Sequence, residues 1–183
     1  MTQTPHFSSW QRMRKELKSF LAPSLADRVD FTVTSYRKAH DSFGHAEVLV
    51  DGAPVTNFCS IKKGMRACVR WDDESSRCIP APDYDPHAAD FGQWDFIVAA
   101  GFYLTRPVRE SLDGVEDAPD HLHTATIRRC LALMDRRVGK RTLQRMAGQM
   151  TDAPEIVRFF YELRCEADGL RDPAAEPSAS SSA

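Results

Sequence analysis

The chain is 183 residues long, 42% apolar and 27% charged, with a formal net charge of −2. That is the composition of an ordinary globule with room for a real core. It excludes a membrane-spanning helix, since no run approaches the roughly 20 apolar residues one needs. It also argues against a nucleic-acid module, which is basic overall.

Charge is unevenly spread. Twelve acids face three bases between Asp72 and Asp120, whereas seven bases face one acid, Asp135, between His121 and Met150. Opposed patches of this kind neutralise each other across a fold or serve protein recognition. Five cysteines (Cys59, Cys68, Cys78, Cys130, Cys165) form an odd set without a CxxC pair. Met1 to Phe7 carries no basic-then-apolar leader pattern. Together these predict reduced thiols and a cytoplasmic protein.

In chain order, Ser8 or Ser9 can cap a first helix within residues 8–22, with Trp10, Met13, Leu17, Phe20 and Leu21 on one face. Residues 28–60 read as an antiparallel meander. Val29, Phe31 and Val33 alternate with polar residues, His45 to Val50 is a second strand, and Asp51-Gly52 is a hairpin turn into a third. Residues 61–90 read as irregular, with Met65 to Trp71 open to either a short helix or a strand, and Pro80, Pro82 and Pro86 marking a loop.

Residues 91–170 read as helical. Trp94, Ile97, Val98, Phe102 and Leu104 suggest one buried face, and Pro107 ends that helix or opens another over Val108 to Leu112. Ile127, Cys130, Leu131, Met134 and Val138 line the next helix, with Gly139 as its left-handed cap. Leu143 and Met146 follow. Asp152 is expected to N-cap a last helix burying Ile156, Phe159, Phe160 and Leu163 and ending at Gly169. Residues 171–183 are too polar to order and read as a tail. The fold class is therefore α+β: an N-terminal helix, a small antiparallel meander and a helical C-terminal half, in one domain over residues 1–170.

Two passages resemble the signatures of a family of small uncharacterised bacterial proteins. One is Arg28 to Gly44, with its Tyr36-Arg37-Lys38-Ala39-His40-Asp41 turn. The other is Leu133 to Leu143, containing Asp135-Arg136-Arg137-Val138-Gly139-Lys140-Arg141, paired with Phe160 to Gly169. The resemblance extends over most of the chain to Leu170. It implies a shared fold and a bacterial origin, and it transfers no catalytic residue.

Arg37, His40 and Asp41 stand where a strand enters a turn, a common place for binding groups, although Asp41 equally suits a plain Asx turn. His121 with His123, and His87 among Asp83, Asp85 and Asp90, match no zinc or EF-hand spacing, so no metal and no cofactor are expected. There is no GxSxG, Walker loop, dinucleotide fingerprint or HExxH. In the basic stretch, consecutive helical side chains diverge by about 100°, so its cations cannot all face one ligand. Asp135, Arg136, Arg137, Glu162, Arg164 and Glu166 are expected to form a structural ion-pair network. Asp135 would pair with Arg136, and Arg164 with Glu162, Glu166 or Asp168. Lys140 and Arg141, beyond Gly139, keep the better claim on a ligand. The preferred expectation is a non-enzymatic binding or adaptor protein, of antitoxin or immunity type, with a protein partner and no membrane. The alternative is a phosphate- or nucleic-acid-handling protein using the basic helix joint.

Overall fold

The computed structural model describes residues 9–35, 44–59, 70–72, 77–79, 92–113 and 124–170. The first helix, α1 (Trp10–Phe20), starts where Ser9 Oγ accepts the Arg12 N–H at 3.3 Å. Its Met13 and Leu17 are buried, and Leu21 carries the same apolar face past its end. Arg14 on its flank donates to Asp30, which fixes the helix against the first strand.

Three strands, β1 (Val29–Ser35), β2 (Gly44–Val50) and β3 (Ala53–Cys59), form an antiparallel sheet in the order β1-β2-β3. Val29 lies opposite Val50 and Ser35 opposite Gly44. The β2–β3 turn has Asp51 and Gly52 at φ 52° and 81°, the conformation that a tight two-residue hairpin requires. The register shifts where Val48 faces Thr56 and Leu49 faces Pro54, so that Val55 is the extra residue of a bulge. Pro54 cannot donate to a ladder, and a bulge in an edge strand accommodates it.

One sheet face buries Val29, Phe31, Ala46, Val48 and Phe58. Against it lies α2 (Gln93–Thr105), whose Phe96 stacks on Phe58 with centroids 5.1 Å apart and also meets Phe31 and Trp10. Behind α2 pack α3 (Val108–Asp113), α4 (Thr124–Leu133) and, further along the chain, α6 (Glu155–Ala167). Between α4 and α6 the chain forms the short helix α5 (Lys140–Met146) and a 3-10 turn over Ala147–Gln149. The chain is thus α+β, and its core runs without interruption from the sheet through α2 and α4 to α6. No helix among the described residues is long and apolar enough to cross a membrane.

Several expectations need correction. The stretch 61–90 is not wholly irregular, because β4 (Arg70–Asp72) pairs antiparallel with β5 (Arg77–Ile79). The inner face of α2 is Phe96, Ala99, Ala100 and Tyr103, while Trp94 is 57% exposed. This helix is apolar all round, so side-chain bulk does not mark its inner face; small alanines turn inward because they let α4 approach closely. In α6 Phe160 and Leu163 are buried as expected, but Val157, Tyr161, Arg164 and Cys165 share the inner face, Ile156 is only partly buried and Phe159 is 38% exposed. An arginine on the inner face rotates the stripe away from the apolar pattern. Asp152 does not cap that helix; Pro154 occupies the N-cap, without a side-chain cap bond. Gly139 is extended at φ −81° and precedes α5 rather than closing α4 in a left-handed turn.

Gly44 marks a close approach. A Cβ there would lie 2.2 Å from Gln93 Oε1 and 2.4 Å from the Thr34 carbonyl oxygen, and Gln93 is 2% exposed. Gly44→Ala must push a strand carbonyl aside, an overpacking cost of roughly 1–3 kcal/mol. Gly148→Ala, with nothing within 4 Å of the new methyl, serves as the neutral control. Urea unfolding midpoints check both; equal midpoints would show that the Gly44 contact relaxes freely.

Candidate functional site

A helix that stops inside a protein leaves its last carbonyls without intrahelical donors. Helix α4 stops at Leu133, deep in the core, and the six residues to Gly139 form a joint to α5. Backbone pairing with the end of α1 satisfies part of this joint. Ala22 N donates to the Met134 carbonyl and Arg136 N to the Phe20 carbonyl, both at 2.8 Å. Arg164 of α6, 4% exposed, satisfies more: its guanidinium donates to the Asp135 carbonyl at 3.0 Å and the Val138 carbonyl at 3.1 Å, with the Leu133 carbonyl at 3.5 Å.

The acid of the joint, Asp135, is 1% exposed. Its carboxylate accepts from the Tyr103 hydroxyl of α2, from the Arg137 backbone N–H at 2.6 Å, and from Arg137 Nε and Nη2 at 2.9 and 2.6 Å. The Arg137 guanidinium lies over the Phe20 ring, 4.0 Å from its centroid. Burial, reinforced by the bond to Asp135, pushes the Tyr103 phenol far above its ordinary range. Bonding to Asp135 likewise raises the Arg137 guanidinium.

A second cluster closes the other side. Burial of Asp168 alone would raise its carboxyl. Hydrogen bonds from Ser24 Oγ (2.6 Å) and Arg164 Nε (2.9 Å), with the charges of Arg164 and Lys140, hold it below the usual carboxylate value. Lys140 Nζ donates to the Asp168 carbonyl at 2.6 Å, capping the end of α6.

The joint therefore brings Asp135, Arg137 and Arg164 together; Arg164 takes Asp168, one of the three acids expected for it, whereas Asp135 takes a different arginine from the expected Arg136. Asp135 pairs with Arg137, and Arg136 is exposed and contributes its backbone to Phe20. Arg164 pairs with Asp168, whereas Glu166 accepts from Arg28 at 3.1 Å and Glu162 is exposed. Lys140 is engaged at the helix end, and Arg141 is exposed on α5. Arg37, His40 and Asp41 lie outside the described residues, as do His87, His121 and His123. Sequence reasoning missed Tyr103, hidden between the bulky Phe102 and Leu104, and it missed Ser24. The spacing of Arg164 and Asp168, four apart on one helix, was the available signal for their pair.

Beside the joint opens a cleft of about 540 Å3, lined by Val108, Arg109, Leu112 and Asp113 of α3, Arg137 and Val138 of the joint, and Thr142, Arg145, Met146 and Gln149 beyond it. Its ionisable groups are three arginines and Asp113, which leans toward Arg109 at 3.9 Å. Arginine stays protonated at any ordinary pH, so the three arginines bind anions rather than shuttle protons. The Cys130 thiol, which is not part of this lining, is buried, which pushes it well above the range in which a thiolate forms. Among the described residues no three His, Cys, Asp or Glu side chains are grouped to hold a metal ion.

A family model described as the SF0329 protein family matches residues 9–165, a span that includes the joint and the cleft. No curated protein and no solved structure matches the chain.

The depressed Asp168 carboxyl sets a pH dependence. A folded pKa below the unfolded value of about 3.9 gives stability that is complete above that value and is lost as pH falls through the lower folded pKa. Asp168→Asn should cost roughly 2–4 kcal/mol near neutral pH, because it leaves the buried Arg164 charge unpaired. The gap from wild type should close as the solution is acidified below pH ~4. Denaturant melts across pH measure this; a gap that stays constant into strong acid would show that the charge of Asp168 contributes nothing.

Proposed function

The chain belongs to the SF0329 protein family, and from the cleft beside its basic motif we propose that it is a binding protein that receives an anionic group between α3 and α5. The observation that supports this is the convergence of Arg109, Arg137 and Arg145, from three separate elements, on one cavity holding a single carboxylate. In the buried part of the joint, Asp135 with Arg137 and Asp168 with Arg164 satisfy each other. Here positive charge is in excess. Thr142 and Gln149 add neutral hydrogen-bonding groups, and the cavity volume falls within the roughly 300–1,000 Å3 of ordinary ligand sites. Asp113, the one carboxylate in the lining, leans toward Arg109, and the other ionisable groups there are arginines, which favours recognition over turnover. Such a role accommodates an adaptor whose partner presents an acidic group.

A second reading draws on a different observation. Arg136 and Arg141 are exposed and have no carboxylate partner among the described residues. Cations of that kind suit contact with a phosphate backbone.

Titration of the protein with inorganic phosphate, followed by arginine side-chain NMR, tests the first reading against the second. The Nε–H signals of Arg109, Arg137 and Arg145 should move together and saturate, while those of Arg12 and Arg158 stay put. Added salt should weaken the response. The double variant Arg109→Ala, Arg145→Ala should lose on the order of tenfold or more in affinity. Uniform drift of every exposed arginine would rule the cleft out. Single-stranded RNA that binds through Arg136 and Arg141, and is insensitive to the double variant, would transfer the function to the second reading.

A further inference from the structure

We propose that the cleft takes a small organic anion, a carboxylate or phosphate ester carried on an apolar body, with Arg137 as its fixed anchor. This rests on the anion-binding reading above and narrows the ligand.

The floor of the cleft favours an apolar body. Leu112, Val138 and Met146, each largely buried, and the half-buried Val108 make up the apolar part of the lining. A free inorganic ion has no use for such a floor. A ligand with a hydrocarbon or aromatic portion covers the part of that lining still open to water while its charged end reaches the guanidiniums.

Arg137 favours a fixed anionic end. Its Nε and Nη2 are committed to the buried Asp135, and its guanidinium carbon lies over the Phe20 ring, yet 38% of the side chain remains accessible. The rest of the same fork lines the cleft. A guanidinium held this way has little rotamer freedom left to lose on binding. Asp135 thus acts as a positioning residue for a ligand it does not touch. Arg109 and Arg145 are exposed and adjust to the ligand from either wall.

The dimensions favour a small ligand over a polymer. The walls α3 and α5 are six and seven residues long, or about 10 Å each. That is short of the track a strand of ~4 or more nucleotides occupies.

Calorimetry on the full chain tests the proposal, using inorganic phosphate, phenyl phosphate, benzoate, a series of alkyl phosphates and carboxylates, and phenol as the uncharged control. The best organic anion should bind roughly tenfold tighter than inorganic phosphate, and phenol should not bind measurably. Arg145→Ala, a surface change, should weaken that ligand on the order of tenfold while circular dichroism stays unchanged. If inorganic phosphate binds through the three arginines and no organic anion improves on it, the apolar-body proposal falls and the anion-binding reading stands. The proposal falls in the same way if only RNA or an acidic peptide binds with dependence on Arg109 and Arg145. If no anion binds at all, both fall.

Discussion

A carboxylate sealed inside a protein must be answered by donors and by positive charge, and the buried Asp135 is the group around which this fold is arranged. Its neighbours come from every quarter of the helical half. Tyr103 arrives from α2, Arg137 from two residues along the joint, and the backbone at Leu21 from the end of α1. An isolated buried charge would be too costly to keep. Here it is converted into the point at which three otherwise separate helical segments must meet in one geometry. Arg164 completes the arrangement by donating to carbonyls that the broken α4 helix cannot satisfy itself. The break in α4 and the burial of an arginine on α6 are two halves of one solution, since each leaves polar groups that the other satisfies.

The candidate site follows from the same arrangement. Because α4 ends early, the chain turns at Gly139 and sends α5 back past α3, and the cleft is the space between them. Arg137 belongs to both: one edge of its guanidinium is fixed on Asp135, and the rest faces the cavity. Structural and recognition roles are therefore not alternatives for this residue. The wall gains a pre-set cation because the core needed a counter-charge. Lys140, in contrast, is drawn away from the cavity to the last carbonyls of α6, where a cation at a helix C-terminus is favourable.

The α+β class, the meander and its Asp51-Gly52 turn were legible because each rests on local physics: a period of two, a period near 3.6, and a dipeptide that tolerates positive φ. The contact between Arg164 and the joint is to backbone carbonyls of Asp135 and Val138, which no side-chain pattern specifies. The cleft itself was not legible. Arg109 and Arg145 stand 36 positions apart in sequence, and nothing in the local pattern around either one refers to the other.

What the amino-acid sequence determined by itself is the set of elements and the presence of a basic joint holding one acid. Those follow from spacing along the chain. Which arginine would take that acid, which face of α2 and α6 would turn inward, and which cations would remain for a ligand were decided only by the tertiary structure. The reason is physical: a local pattern assigns polar residues outward, whereas a packed core accepts a polar side chain wherever orphaned backbone carbonyls or a counter-charge await it. Arg164 and Tyr103 turn inward for that reason, and no periodicity in the chain announces it.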